Sequence, residues 1–553
     1  MKLYSRLGVI GLAVLLMISM AACAPQTSQQ TQDSTTQAQS QTQAQTTAAA
    51  TTAAAAAEGN DGDAGGAYAH NSGGVWFDEP LKFTWLYDDN SGFSLKEDWL
   101  PIVEVKKRTN VDLEFIVTPS ADYDTKKKLL LNSAEWPDVF MQWGLETEYS
   151  MNGILCPIED HVDKMPYLKA ILATGEYDAD LINMRESDGK FYPMPRFYPW
   201  PGYDAGIITR VDYLKDHGLE IPKDYNEVYE LMRYFKEQNP DSWPMSAWEM
   251  GWPITFMRPS WGIEEANHQA LYYDTETKLY APAYTSLKMK SLLEWWAKGY
   301  KEGLVDPEIF TKGWDPMMEM LVTERALFAF CWGDNTDATN SLARDTLPNF
   351  TLEHIVPPAS TEGDKPKWHL AKMNGGLGVP SAIVSRSYFD DMLMFFDWFL
   401  YSDEGSELTN WGVEGITFNW KDGKRVFSDE LLASPDGPAK QAQIDYGLFG
   451  RLQNIWMPDR YWEYAGAVCV AVTNEMMAQG QIQPARPLPK LTVDDIDDIG
   501  LLSAPINDAF LIARDDFISG RRSLDTDWDQ FVADMESRGI NEMAKIYNDK
   551  LPN

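Results

Sequence analysis

The chain alternates between strand-like and helix-like patterns from residue 81 onward, and this alternation restricts the fold more than any other feature. The segments 81–87, 111–117 and 138–141 are rich in aromatic or β-branched side chains, which predicts strands. The two segments between them have helical spacing. Such a β-α-β-α-β run predicts an α/β fold with a parallel sheet covered by helices.

The order of these elements also predicts where a ligand binds. Ligands of open parallel sheets bind beyond the carboxyl ends of the strands. Residues 85–90 and 142–144 lie at two such ends and are expected to border the site. The same alternation continues along the chain, with further strands predicted at residues 206–209, 326–330, 350–356 and 376–379.

The N-terminus has the pattern of an export signal. Lys2 and Arg6 precede an apolar stretch at residues 7–20, and Ala21-Ala22-Cys23 follows. A basic start, a short apolar stretch and small residues before the cut predict a signal peptide at residues 1–22. The cysteine after two alanines is similar to a lipobox, which implies lipid modification of Cys23 with acyl chains such as palmitate. An ordinary signal peptide that precedes a cysteine is the alternative.

Residues 23–75 have the composition of a tether. Of the 34 residues at positions 24–57, 32 are Ala, Gln, Thr or Ser, and only Asp33 is charged. Such a segment buries too little apolar surface to offset its ordering entropy, so we expect it to be disordered. The binding unit is expected at residues 76–553.

The charge balance excludes several partners. Lys and Arg number 47 and Asp and Glu 83, which gives a formal charge of −36. Nucleic-acid binding and docking on an anionic membrane surface both need a basic excess, so attachment to a membrane is expected through the lipid alone. After Cys23, the remaining Cys156, Cys331 and Cys469 are odd in number, which does not indicate a disulfide framework.

The unusual part of the composition is aromatic, with 21 Trp, 25 Tyr and 23 Phe. Flat rings stack on the C–H faces of sugars, and sugar hydroxyls need polar partners beside the rings. Loop aromatics next to polar groups are therefore the candidate ligand contacts. These candidates are Trp85, Asp88, Asn90, Trp136, Gln142, Trp143, Trp200, Trp248, Trp261, Trp332, Asp334, Trp411 and Glu414. For each tryptophan, packing between helix and sheet is the alternative.

Several short phrases follow one another along the chain. They are Glu135-Trp136-Pro137-Asp138-Val139, the Gly-x-Leu-x-Pro-Ile stretch from Gly153, Asp188-Gly189-Lys190 with Tyr192 and Pro195, Arg210-Val211-Asp212-Tyr213-Leu214, and Trp411-Gly412-Val413-Glu414-Gly415. In this order they resemble the substrate-binding lipoproteins of ABC importers in the carbohydrate-uptake group. Some long members carry a calcium loop. Residues 239–245 lack its alternating oxygen ligands, so we expect no metal there.

The resemblance implies two α/β lobes joined by crossing segments, with hinge closure around a ligand in the cleft. Lobe one is expected to hold about residues 76–195 and 315–370. Lobe two is expected to hold about residues 196–314 and 371–553. The chain would then be a monomer without a cofactor.

The implied function is capture of an oligosaccharide outside the cytoplasm and its delivery to the permease of an ABC transporter. The lipid would hold the protein on the outer face of the bacterial cell membrane. A neutral glycan is expected, because a charge of −36 repels polyanions, although Arg196, Arg258 or Arg451 could override this locally. A surface glycoside hydrolase or polysaccharide lyase is the alternative, and a peptide receptor is a weaker one.

Overall fold

Five strands from two distant parts of the chain form the larger sheet of the protein. The computed structural model describes residues 76–552 apart from residue 134 and the segments 199–204, 264–269, 333–335, 337–338, 341–342, 345 and 435–436. The side chains of residues 205, 332 and 462–467 are also outside the description. The predicted signal peptide, Cys23, the tether, Trp200, Asp334 and the side chain of Trp332 therefore lie outside the described residues.

The strands follow the sequence pattern closely. In chain order they are β1 (Leu81–Asp89), β2 (Val111–Pro119), β3 (Val139–Gln142), β4 (Met194–Phe197), β5 (Ala205–Arg210), β6 (Leu271–Asp274), β7 (Leu279–Pro282), β8 (Phe328–Trp332), β9 (Leu352–His354), β10 (Trp368–Leu370), β11 (Met373–Gly378), β12 (Phe418–Lys421), β13 (Lys424–Phe427) and β14 (Ile482–Pro484).

Helices cover the sheets and fill the connections. In chain order they are α1 (Leu100–Thr109), α2 (Tyr123–Ser133), α3 (Thr147–Met151), α4 (Pro166–Leu172), α5 (Asp178–Met184), α6 (Val211–Asp216), α7 (Tyr225–Gln238), α8 (Gly251–Met257), α9 (Leu287–Lys301), α10 (Trp314–Val322), α11 (Phe389–Tyr401), α12 (Asp403–Asn410), α13 (Asp429–Leu432), α14 (Pro438–Tyr446), α15 (Pro458–Ala478), α16 (Val493–Ser519), α17 (Trp528–Ser537) and α18 (Ile540–Asp549). No described helix is long and apolar enough to cross a membrane.

Local sequence signals account for several element ends. Asn110 ends α1 in the left-handed conformation, with φ of 62°. Asn tolerates this conformation better than most residues, since its short polar side chain can bond locally. Asp224 caps α7, because its carboxylate accepts hydrogen bonds from the backbone N–H groups of Asn226 and Glu227.

The larger sheet has the order β2-β1-β3-β11-β4. Strand β1 pairs in parallel with β2 and β3, as predicted, whereas β11 is antiparallel to both β3 and β4. The core of this lobe, lobe one, contains buried residues from Phe83 to Phe197 and from Met373 to Leu452. The predicted α/β class is confirmed.

The smaller sheet has the order β8-β5-β9, with β5 antiparallel to both neighbours. An isolated bridge adds Met245 beside Phe328. The core of this second lobe, lobe two, contains buried residues from Ile207 to Ile355 and from Ile499 to Tyr547. The described residues of both lobes lie within one compact unit.

These pairings correct the predicted division into lobes. Strands β8 and β9 lie on either side of β5, so residues 315–370 contribute to lobe two and not to lobe one. Strand β11 lies between β3 and β4, so the segment from Met373 to Leu452 belongs to lobe one. The predicted boundaries are wrong there because strand pairing across hundreds of residues leaves no local signal.

Two of the segments that pass between the lobes pair with each other. Strand β10 leads from lobe two into lobe one, and β14 leads back. They form a parallel two-stranded ladder in which His369 aligns with Gln483. The two crossings are therefore hydrogen-bonded to each other.

Candidate ligand-binding site

The carboxyl ends of β1, β3 and β4 meet at one edge of the larger sheet. Strands β3 and β4 are parallel to each other because each pairs antiparallel with β11. Asp88 lies at the end of β1, Trp143 directly follows β3, and Arg196 lies near the end of β4. This is the edge at which sequence reasoning places the ligand.

Asp88 connects three elements at this edge. Its Oδ2 accepts a hydrogen bond of 3.1 Å from Trp143 Nε1 and one of 2.5 Å from Arg451 Nη1. Ser120, after β2, donates its hydroxyl to Oδ1. Asp88 is buried, so these partners replace the water that a carboxylate otherwise requires. The indole ring of Trp143 is thereby held in one orientation while 42% of the residue stays exposed.

Two arginines and three aromatic rings form a cluster beside Asp88. Arg196 Cζ lies 5.0 Å from the ring centre of Trp143, 5.6 Å from that of Tyr198 and 5.2 Å from that of Trp456. Arg451 Cζ lies 4.7 Å from the Trp143 ring. We call these five residues the aromatic–arginine cluster. Distances below about 6 Å are in the range of cation–π attraction.

Backbone pairing brings the distant members of the cluster to the sheet. The N–H of Phe197 donates to the carbonyl of Asn454 at 2.6 Å, and the N–H of Trp456 donates to the carbonyl of Phe197 at 3.1 Å. The segment of Asn454 to Trp456 thus extends the sheet beside β4. Trp456 and Arg451 reach the site by this pairing.

Arg196 is in an unusual environment for a guanidinium. The residue is 3% exposed, and no carboxylate of the described chain is within ion-pair distance of it. Burial lowers the pKa of Arg196, the charge of Arg451 lowers it further, and Tyr198 acts in the opposite direction. Its Nε has no hydrogen-bond partner in the described structure.

Two glycines in β11 make this arrangement possible. The pairing of β11 with β4 shifts register between Asn374 and Gly376, which is a β-bulge. A Cβ atom on Gly376 would lie 1.9 Å from the carbonyl oxygen of Met194, and one on Gly375 would lie 2.3 Å from that of Gln142. Only glycine therefore fits where β11 passes between the strands that carry Trp143 and Arg196.

A cavity of about 580 Å³ opens beside Trp143. Its polar wall residues include Asp180 and Asn183 of α5, Asn374 of β11, His369 of β10, and Arg486 after β14. Burial raises the pKa of Asp180 to about 6, although hydrogen bonding and charge from Lys372 oppose the shift. Asp180 Oδ1 has no hydrogen-bond partner in the described structure. The cavity therefore combines the Trp143 ring with a carboxylate oxygen of Asp180 that no described group bonds.

Helix α5 also fixes the second crossing segment. Asn183 Nδ2 donates to the carbonyl of Arg486 at 2.8 Å, and its Oδ1 accepts the N–H of Leu488 at 3.0 Å. Lys490 donates to the carbonyls of Ile182, Asn183 and Arg185. Burial lowers the pKa of Lys490 to about 8. The cavity wall and the crossing segment are thus one connected structure.

Lobe two contains its own aromatic series, which reaches β8 at Phe330. The ring centres of Trp248 and Trp252 are 5.6 Å apart, those of Trp252 and Phe256 5.9 Å, and those of Phe256 and Phe330 6.3 Å. Residue Trp252 is partly exposed and borders a second cavity of about 320 Å³. Trp248, a sequence candidate, therefore belongs to a series of rings that includes an accessible surface.

Three other candidate tryptophans lie in the hydrophobic cores. Trp85 packs against Phe115 and Phe396, which corrects its prediction as a ligand platform. Trp261 packs against Tyr225, and its Nε1 donates to Ser291.

Trp411 packs between Phe418 and Phe427. All three are at most 4% exposed, so helix–sheet packing explains them.

The remaining candidates are spread over lobe one. Trp136 is half-buried and donates its Nε1 to the carbonyl of Leu131. Gln142 is buried at the end of β3, and its Oε1 has no described partner. Asn90 accepts a hydrogen bond from the N–H of Gly92 in the turn after β1, and Glu414 is exposed in a different part of the lobe.

Asp88, Trp143 and the end of β3 are therefore brought together, whereas Glu414 and Trp136 do not contact the aromatic–arginine cluster. Sequence reasoning did not propose Tyr198 or Trp456 as ligand contacts. Tyr198 stands in an aromatic run before Pro199, which was the available signal.

The family profile described as bacterial extracellular solute-binding protein matches residues 94–387, which is more than half of the chain. The chain belongs to this family. The resemblance stated from the sequence is confirmed, and the family places the protein outside the cytoplasm.

Individual relatives are distant. The fructooligosaccharide ABC transporter substrate-binding protein FusA of Streptococcus pneumoniae serotype 4 is 24% identical over 497 residues, 81% of this chain and 85% of FusA. Lipoprotein LipO of Bacillus subtilis strain 168 is 21% identical over 462 residues, 80% of this chain and 87% of LipO.

The alginate-binding protein AlgQ2, in a calcium-free crystal structure, has a TM-score of 0.68 at 22% identity and covers 86% of this chain and 98% of its own. At that identity the likeness shows the fold, and it confirms the two-lobe architecture. Within the described residues no group of three His, Cys, Asp or Glu side chains is placed to hold a metal ion.

Proposed function

We propose that this family member is a lipid-anchored receptor that captures an oligosaccharide between its lobes and delivers it to an ABC transporter permease. The observation that carries the proposal is Trp143, an exposed indole held by Asp88 at the carboxyl edge of the sheet and beside a polar cavity. Sugar binding needs this combination, because the ring takes the C–H face while neighbouring polar groups take the hydroxyls.

The aromatic series of lobe two supports the same function. Trp248 and Trp252 lie ring to ring in lobe two, and the partly exposed Trp252 offers a second aromatic surface. Hinge closure around the paired crossings β10 and β14 would bring the two lobes onto one ligand. The sugar transport named for FusA is in keeping with this proposal.

Titration calorimetry against a panel of oligosaccharides tests the function. Saturable binding without turnover is expected for the soluble unit that starts at residue 76. Release of new reducing ends from a glycan would instead indicate a hydrolase, and an eliminated, unsaturated product would indicate a lyase. Binding of peptides but of no glycan would contradict the sugar proposal.

The anchor and the monomeric state are separate parts of the proposal. The lipobox-like sequence before Cys23 and the name of LipO support lipid attachment. An alkyne analogue of palmitate should label the full chain and fail to label Cys23→Ala, which should leave the membrane fraction. Light scattering of the unit from residue 76 should give the mass of one chain with and without sugar.

A further inference from the structure

The buried guanidinium of Arg196 has no counter-charge in the described structure. Burial lowers its pKa, Tyr198 raises it, and the like charge of Arg451 lowers it. Asp88 is already bonded to Arg451 and to Trp143. Two arginines and one carboxylate leave this site with a net charge of +1.

Another buried arginine of the same protein shows how such a group is usually satisfied. Arg460 is fully buried among three rings, like Arg196. However, Arg460 Nε donates to the carbonyl of Asn410 at 3.2 Å, and its Nη2 donates to that of Ala439 at 3.1 Å. The Nε of Arg196, by contrast, has no hydrogen-bond acceptor among the described residues. Rings attract the charge of a guanidinium but do not accept its N–H groups as a carbonyl does.

The surrounding donors point in the same direction. Trp456, whose ring faces Arg196, has a buried Nε1 without a described acceptor. Donors without acceptors cost free energy when they are buried, and an anionic oxygen is the partner that satisfies them best. A ligand that brings such oxygens would complete the site.

We propose that the aromatic–arginine cluster binds an anionic substituent of the sugar, so that the captured ligand is an acidic oligosaccharide. This inference rests on the proposed function and names its substrate class. The substituent is a planar carboxylate, as in a uronic acid, or a sulfate ester. Both accept two parallel N–H groups from a guanidinium.

The local charge outweighs the overall charge at this site. The net charge of −36 belongs to the whole chain, and salt screens exposed charges beyond about 8 Å at physiological ionic strength. A desolvated guanidinium in contact with the ligand is screened much less. The expectation of a neutral glycan is therefore replaced by that of an acidic one, and the overall charge is expected to slow association.

Matched ligand pairs test this inference with the unmodified protein. The probes are oligogalacturonates and oligomannuronates with their methyl esters, and sulfated galactan oligosaccharides with their desulfated forms. At least one acid is expected to bind about 30-fold or more tightly than its neutral partner, which corresponds to about 2 kcal/mol. The carboxylate and sulfate arms show which anion is bound.

Variants then assign the effect to Arg196. In Arg196→Met the affinities for the acidic ligand and for its neutral partner should differ by no more than about threefold. Arg196→Lys should retain part of the wild-type difference in affinity. Arg425→Met is the matched control, because Arg425 Cζ lies 4.4 Å from the Trp420 ring on the β12–β13 hairpin. Arg425→Met should leave the ratio of the two affinities, acidic over neutral ligand, unchanged. The salt dependence of wild-type binding provides a readout that requires no variant.

The possible results separate the acidic ligand from the proposed function. Equal affinity for acid and neutral partner, or an undiminished ratio in Arg196→Met, overturns the acidic ligand and leaves the sugar receptor intact. Binding of neutral glycans alone has the same meaning. Failure to bind any glycan overturns the proposed function itself.

Discussion

Arg451 donates a 2.5 Å hydrogen bond to Asp88, 363 residues earlier in the chain. The pair joins the end of β1 to the segment that runs beside β4, and Asp88 also accepts the indole N–H of Trp143. One buried carboxylate therefore fixes both a ring and a charge of the candidate site.

Replacement of Asp88 should destabilise the protein and loosen the site together. Asp88→Asn is expected to lower the free energy of unfolding by about 1–3 kcal/mol, because it leaves Arg451 without its counter-charge. Asp445→Asn removes an exposed ion pair to Lys96 and should cost less than about 1 kcal/mol. Urea unfolding of both variants measures the difference, and equal effects would contradict a structural role for Asp88.

Trp143 should contribute to ligand binding more than to stability. Trp143→Ala is expected to weaken binding of the best glycan about tenfold or more, since it removes the stacking surface. Trp420→Ala is the matched control, because Trp420 is 47% exposed and also lies beside an arginine. Calorimetry should show unchanged affinity for the control. A similar loss in both variants would remove the special role of Trp143.

Gly376 should tolerate no side chain. Gly376→Ala is expected to cost about 3 kcal/mol or more, because its Cβ would collide with the Met194 carbonyl and its φ of 136° is unfavourable for alanine. Gly153→Ala tests positive φ alone, since its Cβ would have no neighbour within 4 Å, and should cost about 1 kcal/mol. Thermal unfolding compares the two variants. An equal shift in Tm would show that the collision is relieved by movement of β11.

Asp180 should make stability depend on pH. Its folded pKa of about 6 exceeds the usual value of 3.8, so the folded state favours the protonated form. The contribution of Asp180 to the free energy of unfolding is fully present below about pH 4 and is lost as the pH rises through about 6. Asp180→Asn should therefore be more stable than wild type by about 1–2 kcal/mol at pH 7.5 and equal to it at pH 3.5. Denaturant titrations at both pH values measure this, and a constant difference would contradict the shifted pKa.

The sequence predicted the fold class well because its signals are local. Alternation and helical spacing located β1, β2, β3 and the helices between them, and the parallel order followed from right-handed crossovers. Lobe membership of residues 315–370 was not predictable, since β8 and β9 find their partner β5 only through long-range pairing.

The candidate site was predicted in part for the same reason. Asp88 and Trp143 follow strand ends, where position along the sequence indicates position in space. Trp85 and Trp411 carry the same local signals as a ligand platform, yet they lie in the cores. Arg451 reaches Trp143, and Trp456 reaches Arg196, only when the chain after residue 450 extends the sheet beside β4.

The position of β11 has a consequence for how this chain folds. Strands β1 to β4 are all made before residue 198, but their sheet stays divided until β11 inserts between β3 and β4. The core of lobe two is incomplete until α16 to α18 have been made. Neither lobe can complete its core before the other has begun to form. Folding therefore depends on contacts of large sequence separation and is expected to be slow.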